Sequence, residues 1–198
     1  MVTVDIGILA LQGAVEPHRV KLAGLGLHAR SVRLAEDLEG CAGLILPGGE
    51  STTMLKLIGY YGLKPALLDF GRKRPLWGVC AGSILLAERV ENPAQESFGV
   101  LAITVRRNAY GRQNESFIAR LTVRLPGQAP ADQEAVFIRA PQIVAVRAGV
   151  QVLAEYGGLP VAVQQGRHLA STFHPELSAG DRLHRHFAGL CEAAEQAA

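Results

Sequence analysis

Apolar residues fall in short, nearly unbroken runs in the first half of the chain and in shorter, interrupted runs in the second. Residues 4–11, 42–46 and 76–79 are almost wholly apolar. Each ends at a small-residue turn: Gln12-Gly13-Ala14, Pro47-Gly48-Gly49 and Gly78-Val79-Cys80-Ala81-Gly82. Residues 29–34 are a further strand candidate, and helix-forming stretches at 16–25, 52–60, 63–72 and 83–90 alternate with the strands. A strand that is apolar on both sides must be covered on both sides. The alternation therefore predicts a mostly parallel sheet between two helical layers.

Beyond residue 90 the pattern changes. Residues 92–98 read as a polar loop, and 100–125 break into short β-rich runs around a loop at 107–113. Further strands are predicted at 135–138, 143–146, 150–156, 161–165 and 168–172, as an antiparallel extension of the sheet. The stretch Gln128-Ala129-Pro130-Ala131-Asp132 reads as a loop too short for a domain linker, and an amphipathic helix at 180–194 closes the chain. The expected fold is α/β and three-layered, with a mostly parallel central sheet, helices on both faces and an antiparallel β extension, all in one domain spanning 1–198.

Composition narrows the chemistry. With 198 residues, 48% hydrophobic, 19% charged and a net charge of +2, the chain has a globular composition and no nucleic-acid footprint. The N-terminus lacks a basic, cleavable leader and no window approaches a membrane span, so a cytoplasmic location without a membrane partner is expected. Cys41, Cys80 and Cys191 are odd in number and widely spaced, which favours free thiols. No metal site is expected: there is no C-x-x-C, and His184 and His186, two apart on a helix, read as solvated surface.

Ligands of open α/β sheets bind beyond the carboxyl ends of the strands, and the informative stretches fall there. Cys80 sits where an apolar strand turns through flanking glycines into a helix, which exposes a thiol and aims helix N–H groups at it; packing is an equal reading of the motif alone. Phe173-His174-Pro175-Glu176 follows the last strand. If extended, it projects His174 and Glu176 to the same side, so that the carboxylate orients the imidazole towards Cys80; the competing reading of Pro175 and Glu176 is the entry of a turn. The Gly48-Gly49 backbone, with the N–H of Ala81, suits an oxyanion, although a tight turn with Ser51 or Thr52 capping the next helix needs no function. Arg139, alone in an apolar strand, calls for a partner, whereas Arg107 reads equally as a solvated loop charge.

These residues carry a resemblance. Gly78-Val79-Cys80-Ala81-Gly82 with His174-Pro175-Glu176 is similar to the class I, triad-type glutamine amidotransferases, whose fold is flavodoxin-like. The runs Leu11-Gln12-Gly13-Ala14-Val15, Leu46-Pro47-Gly48-Gly49-Glu50-Ser51-Thr52-Thr53, Arg107-Asn108-Ala109-Tyr110-Gly111-Arg112-Gln113, Phe137-Ile138-Arg139-Ala140-Pro141 and Phe173-His174-Pro175-Glu176-Leu177 narrow it. They resemble the glutaminase subunits of pyridoxal 5'-phosphate synthase. The resemblance implies a Cys80-His174-Glu176 triad that hydrolyses L-glutamine to L-glutamate and ammonia. It implies a glutamine site lined by Gly49, Glu50, Ser51, Arg107, Ile138 and Arg139, an oxyanion hole from Gly49 and Ala81, no cofactor of its own, and a synthase (lyase) subunit as the acceptor of ammonia in a hetero-oligomer. Ile118 and Ala102 depart from the family's usual residues, and the contacts at stake are those of local loops. Stand-alone cysteine hydrolases and stress proteins share a cysteine elbow, but not the His-Pro-Glu and P-G-G-E-S stretches. A non-catalytic binding module on this fold is the other alternative.

Overall fold

A computed structural model describes residues 4–107 and 116–197. Residues 108–115, which include most of the arginine-bearing loop, lie outside the described residues. The first half alternates as read: β1 (Asp5–Leu9), α1 (Val15–Gly24), β2 (His28–Val32), β3 (Gly43–Leu46), α2 (Ser51–Tyr60), α3 (Lys64–Lys73), β4 (Leu76–Val79) and α4 (Ala81–Leu86). The second half follows as β5 (Ala87–Glu91), β6 (Leu101–Arg106), β7 (Ser116–Val123), β8 (Ala131–Ile138), β9 (Gln142–Val146), β10 (Gln151–Tyr156), β11 (Leu159–Gln165), β12 (His168–Ser171) and α5 (Arg182–Gln196).

The main sheet runs β10-β11-β12-β4-β3-β1-β2. The five strands from β12 to β2 are parallel, and β11 and β10 extend the sheet antiparallel. Side-chain alternation sends Ile6, Ile8, Ile45, Trp77 and Val79 to one face, where they pack with Leu22 of α1 and Phe187 of α5. Leu9, Leu44, Leu46 and Leu76 go to the other, against Met54 and Ile58 of α2, Leu67 of α3 and Leu85 of α4. Both faces are dry, so these strands carry no polar stripe.

Several expectations are corrected. The helix expected over 83–90 ends at Leu86, because 87–91 pairs in parallel with β6 instead. The strands between β4 and β10 do not join the main sheet. They form two small sheets, β5-β6-β9 and the hairpin β7-β8, so the antiparallel extension consists of β10 and β11. Ala131 and Asp132, read as loop, begin β8, held by pairing to Val123 and Thr122. Ile118 and Ala102 lie in β7 and β6 rather than in loops. Cys191 is fully buried, its sulfur occupying the space a side chain at Gly43 would need. His184 is likewise buried, on the same inward stripe of α5 as Phe187, Ala188 and Cys191.

Candidate active site

Three parallel strands deliver the site. β3 ends at Leu46 and opens into Pro47-Gly48-Gly49; its neighbour β4 ends at Val79 and opens into Cys80; β12, on the other side of β4, ends at Ser171 and leads to His174. Cys80 N–H donates to the Ser171 carbonyl at 2.8 Å, which ties the elbow to the histidine-bearing strand. His174 N–H donates to Val136 of β8 at 2.8 Å, so the ring is also fixed from the hairpin side.

At the elbow the strain rests on the cysteine itself. Cys80 has φ 48° and ψ −102°, a left-handed backbone that a side chain takes only under constraint and that costs on the order of 1–3 kcal/mol. The glycines beside it serve close approach. A side chain at Gly78 would enter the carbonyl of Gly82, and one at Gly82 the carbonyl of Leu46. The Cys80 carbonyl is held by the Ser83 N–H at 3.1 Å and the Ser83 hydroxyl at 2.6 Å. The thiol is thereby thrown to the crevice floor, with the residue 6% exposed.

His174 faces it. Its Nδ1 lies 2.7 Å from Glu176 Oε1, and the Glu176 side chain is wholly buried. The contact forms through a 3₁₀ turn, Pro175–Leu177, whose N-cap is His174, and not through an extended segment. The extended projection expected from the sequence is not what is found; the turn, the competing reading, is what folds the carboxylate under the ring. Burial disfavours a charged His174, but hydrogen bonds to the Cys80 and Glu176 side chains, and their negative charges, outweigh it and raise its pKa above the ordinary value. The arrangement favours an imidazolium. Gly48 makes room for it, since a side chain there would strike the His174 ring.

The crevice encloses about 410 Å³, and its lining includes Gly49, Glu50, Ser51, Cys80, Ala81, Arg107, Ile138, Arg139 and His174. Glu176 stands behind His174, outside this lining. The 47–51 loop is braced from β1: Gly48 C=O accepts from Ala14 N–H at 2.9 Å, and Gln12 Oε1 accepts from Glu50 N–H at 2.9 Å. Gly13, at φ +106°, lies so close to the Gly48 carbonyl that only glycine fits.

The cap of α2 is Glu50, not Ser51 or Thr52. Its Oε2 accepts from Thr53 N–H at 2.8 Å. Burial would raise its pKa, but the bonds from Thr53 and Thr52 lower it below the ordinary carboxylate value. Ser51 is buried and donates to Gln95 Oε1 at 2.9 Å. Arg107 is not a solvated loop charge: its Nη2 donates to Thr52 Oγ1 at 3.0 Å and lies 3.5 Å from Glu50 Oε1, with the side chain 13% exposed. Arg139 follows β8 instead of standing within it, is exposed, and has a left-handed backbone at φ 44°. Among the described residues it has no hydrogen-bond or ion-pair partner. Among them too, no cluster of His, Cys, Asp or Glu is placed to hold a metal ion.

Sequence reasoning missed Gln95, hidden in a polar loop, and His18, a buried histidine of α1 that meets Glu176 from behind. The spacing of His18 and Leu22 on the inward side of α1 was the available signal.

The model of the SNO glutamine amidotransferase family matches residues 8–193. Subunit PdxT of pyridoxal 5'-phosphate synthase from Solibacter usitatus is 50% identical over 185 residues, covering 92% of this chain and 96% of that one. Its counterpart from Deinococcus radiodurans is 51% identical over 191 residues, covering 93% and 96%. A crystal structure described as a glutamine amidotransferase superposes with a TM-score of 0.86 at 46% identity, covering 94% of this chain and 98% of that one. A Thermotoga maritima glutamine amidotransferase shares the fold at a TM-score of 0.62 and 14% identity, covering 99% and 92%.

Proposed function

Because the chain belongs to the SNO glutamine amidotransferase family, we propose that it is the glutaminase subunit of a pyridoxal 5'-phosphate synthase, hydrolysing L-glutamine through Cys80, His174 and Glu176. The observation that carries the reading is the strained Cys80 elbow set against an imidazole that a buried carboxylate holds at 2.7 Å. Cys80 attacks the side-chain amide carbon as thiolate. His174, holding the proton, delivers it to the departing nitrogen, so ammonia leaves and a γ-glutamyl thioester remains. Water then adds to the thioester carbonyl, giving its proton to His174, and glutamate departs as the thiolate re-forms. In both steps the N–H groups of Gly49 and Ala81 take the oxyanion, an effect worth about 3–4 kcal/mol for a single donor.

Glutamine enters amide first, with its α-carboxylate and α-ammonium at the mouth. Arg107 is already engaged by Thr52 and Glu50. Arg139, unpartnered among the described residues, therefore supplies the guanidinium for the α-carboxylate, while Arg107 holds the Glu50-Thr52 side of the mouth in shape. Ser51 and Ile138 complete the walls, and the reaction needs no cofactor in this subunit.

Ammonia released into water is diluted and protonated, so the useful acceptor is an attached synthase subunit, as the relatives' names suggest. It docks at the strand ends, near Gln12 and the 47–51 loop; glutaminase turnover is weak in the isolated chain and rises on docking. Three free thiols fit a reducing, cytoplasmic setting, and no helix among the described residues is long and apolar enough to cross a membrane. Glutamate release measured with purified synthase subunit tests the reading: it is expected from the wild type, and release retained by Cys80→Ala would refute the triad. Equal turnover with and without the synthase subunit would refute the docking.

A further inference from the structure

The buried polar array does not end at Glu176. While Oε1 of that carboxylate meets His174, Oε2 faces Nε2 of His18 on α1 at 3.6 Å, and neither side chain has exposed surface. Among the described residues, neither of these two atoms has a hydrogen-bond partner. His18 Nδ1 lies 3.0 Å from Nε2 of His184 on α5. Trp77 of β4 packs edge-on against both imidazoles, at centroid distances of 5.8 and 4.8 Å. Three elements distant in sequence thus hold one ring nitrogen against the unused carboxylate oxygen.

A neutral imidazole has one donor and one acceptor, so the chain of contacts has a direction. If His18 carried its proton on Nδ1, its Nε2 lone pair would face a carboxylate oxygen in a dry interior, two acceptors with nothing between them. With the proton on Nε2, His18 is a donor to Glu176 and its Nδ1 accepts from His184 Nε2–H. Donors then face acceptors along the whole array, His18 Nε2–H towards Glu176 Oε2 at 3.6 Å, while His184 Nδ1 faces no partner among the described residues.

We propose that His18 is a positioning residue for the glutaminase reaction: His184 holds it as the Nε2–H tautomer, and that N–H keeps the Glu176 carboxylate turned so that Oε1 meets His174. The inference rests on the triad reading above. At 3.6 Å the contact is longer than a hydrogen bond, and such contacts in unliganded sites tighten when substrate binds. The groups facing the array are Cys80 and His174 from the crevice side, His184 from α5, and, acting on His184 by charge, Lys21 of α1 and Asp181 just ahead of α5. Burial, helped by the charge of neighbouring histidines, lowers the His18 pKa well below its ordinary value, and burial likewise lowers that of His184 to about 3. Both rings are therefore neutral, and His18 offers a dipole to Glu176 rather than a competing cation for His174.

The test uses the full chain with its synthase subunit and glutamine. Nitrogen-resolved NMR of the wild-type imidazoles is expected to find His18 protonated on Nε2 and bare on Nδ1; the opposite tautomer overturns the proposal without any variant. His18→Phe, which keeps a ring and loses the donor, is expected to lower kcat about 10- to 100-fold with little change in KM for glutamine. His18→Gln, whose amide can place an N–H near the lost one, is expected to restore kcat. Equal loss of kcat in the two variants makes His18 a packing residue and overturns the proposal. Failure of the wild-type Cys80 to react with iodoacetamide would instead sink the triad, and the role of His18 with it, whatever the tautomer.

Discussion

The strand-end crevice and the interior beneath β4 each place a cysteine and a histidine out of solvent, and they do opposite things with them. In the crevice, Cys80 and His174 are 6% and 7% exposed; under the sheet, Cys191 and His184 are wholly buried. The small difference in exposure does not explain the contrast. His174 has a carboxylate 2.7 Å from one nitrogen and the Cys80 side chain on the other, which favours its charged form. His184 has another neutral imidazole, and burial lowers its pKa to about 3. Burial also raises the Cys191 thiol pKa far above its usual range, and the neighbouring Glu192 adds to this. Cys80 has the left-handed elbow; Cys191 lies in ordinary helix on the stripe that packs on Gly43. Partners and backbone, more than depth, decide which thiol can act.

The contrast can be broken most directly at the thiols. Cys80→Ala is expected to lower glutaminase turnover at least ~10⁴-fold, the scale of losing a nucleophile, with Cys191→Ala close to wild type by the same glutamate assay. Comparable losses in both would erase the distinction. Next comes the carboxylate: Glu176→Gln removes the charge that steadies the His174 imidazolium and is expected to cost ~10²–10⁴-fold in kcat. Turnover near wild type would show that the imidazole needs no orienting partner.

Acid sharpens the comparison through stability. His174, with a raised folded pKa, contributes stability that is complete below the unfolded value of 6.5 and is lost only as pH rises towards the folded pKa. His18 and His184, with depressed folded pKa values, behave oppositely. Above pH 6.5 their neutral forms cost nothing, and below it the unfolded chain takes up protons that the folded chain refuses. His168, lowered to about 4, acts in the same direction. Between pH 6.5 and 5 the folded protein should therefore lose stability by about 2 kcal/mol at pH 5 for each histidine kept fully neutral. Urea midpoints across this window, in wild type and His184→Leu, measure it; an identical slope in the two would show that His184 is not held neutral. The smallest expected effect is Cys191→Ala, which removes a buried sulfur and should cost about 1–2 kcal/mol in the same urea assay, with kcat unchanged.

The parts legible in sequence were those governed by local or periodic rules. Apolar runs gave β1, β3 and β4 with their turns, since a strand covered on both faces has no polar stripe to confuse it. The family's motifs named the residues that line the crevice. Less legible were the pairings of the middle segment. The residues after Leu86 have helix-compatible composition, and only β6, beyond a loop, makes them a strand. The inward position of His184 escaped because the pair His184 and His186 drew attention to a spacing of two, while the stripe that matters runs through 184, 187, 188 and 191.

The sequence by itself determined the order of strands and helices from β1 to β4, the small residues the elbow and the 47–49 turn require, and the identity of the groups at the strand ends. Only the tertiary structure decided which groups are charged and which are neutral, because that depends on neighbours brought together from far along the chain. It set Glu176 under His174 through a 3₁₀ turn, transferred the helix cap to Glu50, engaged Arg107 and left Arg139 without a partner among the described residues. It also brought His18 to the back of that carboxylate and His184, 166 residues further on, against His18. Ionisation in a dry interior is fixed by a few ångströms of distance, and periodicity along the chain carries no such information.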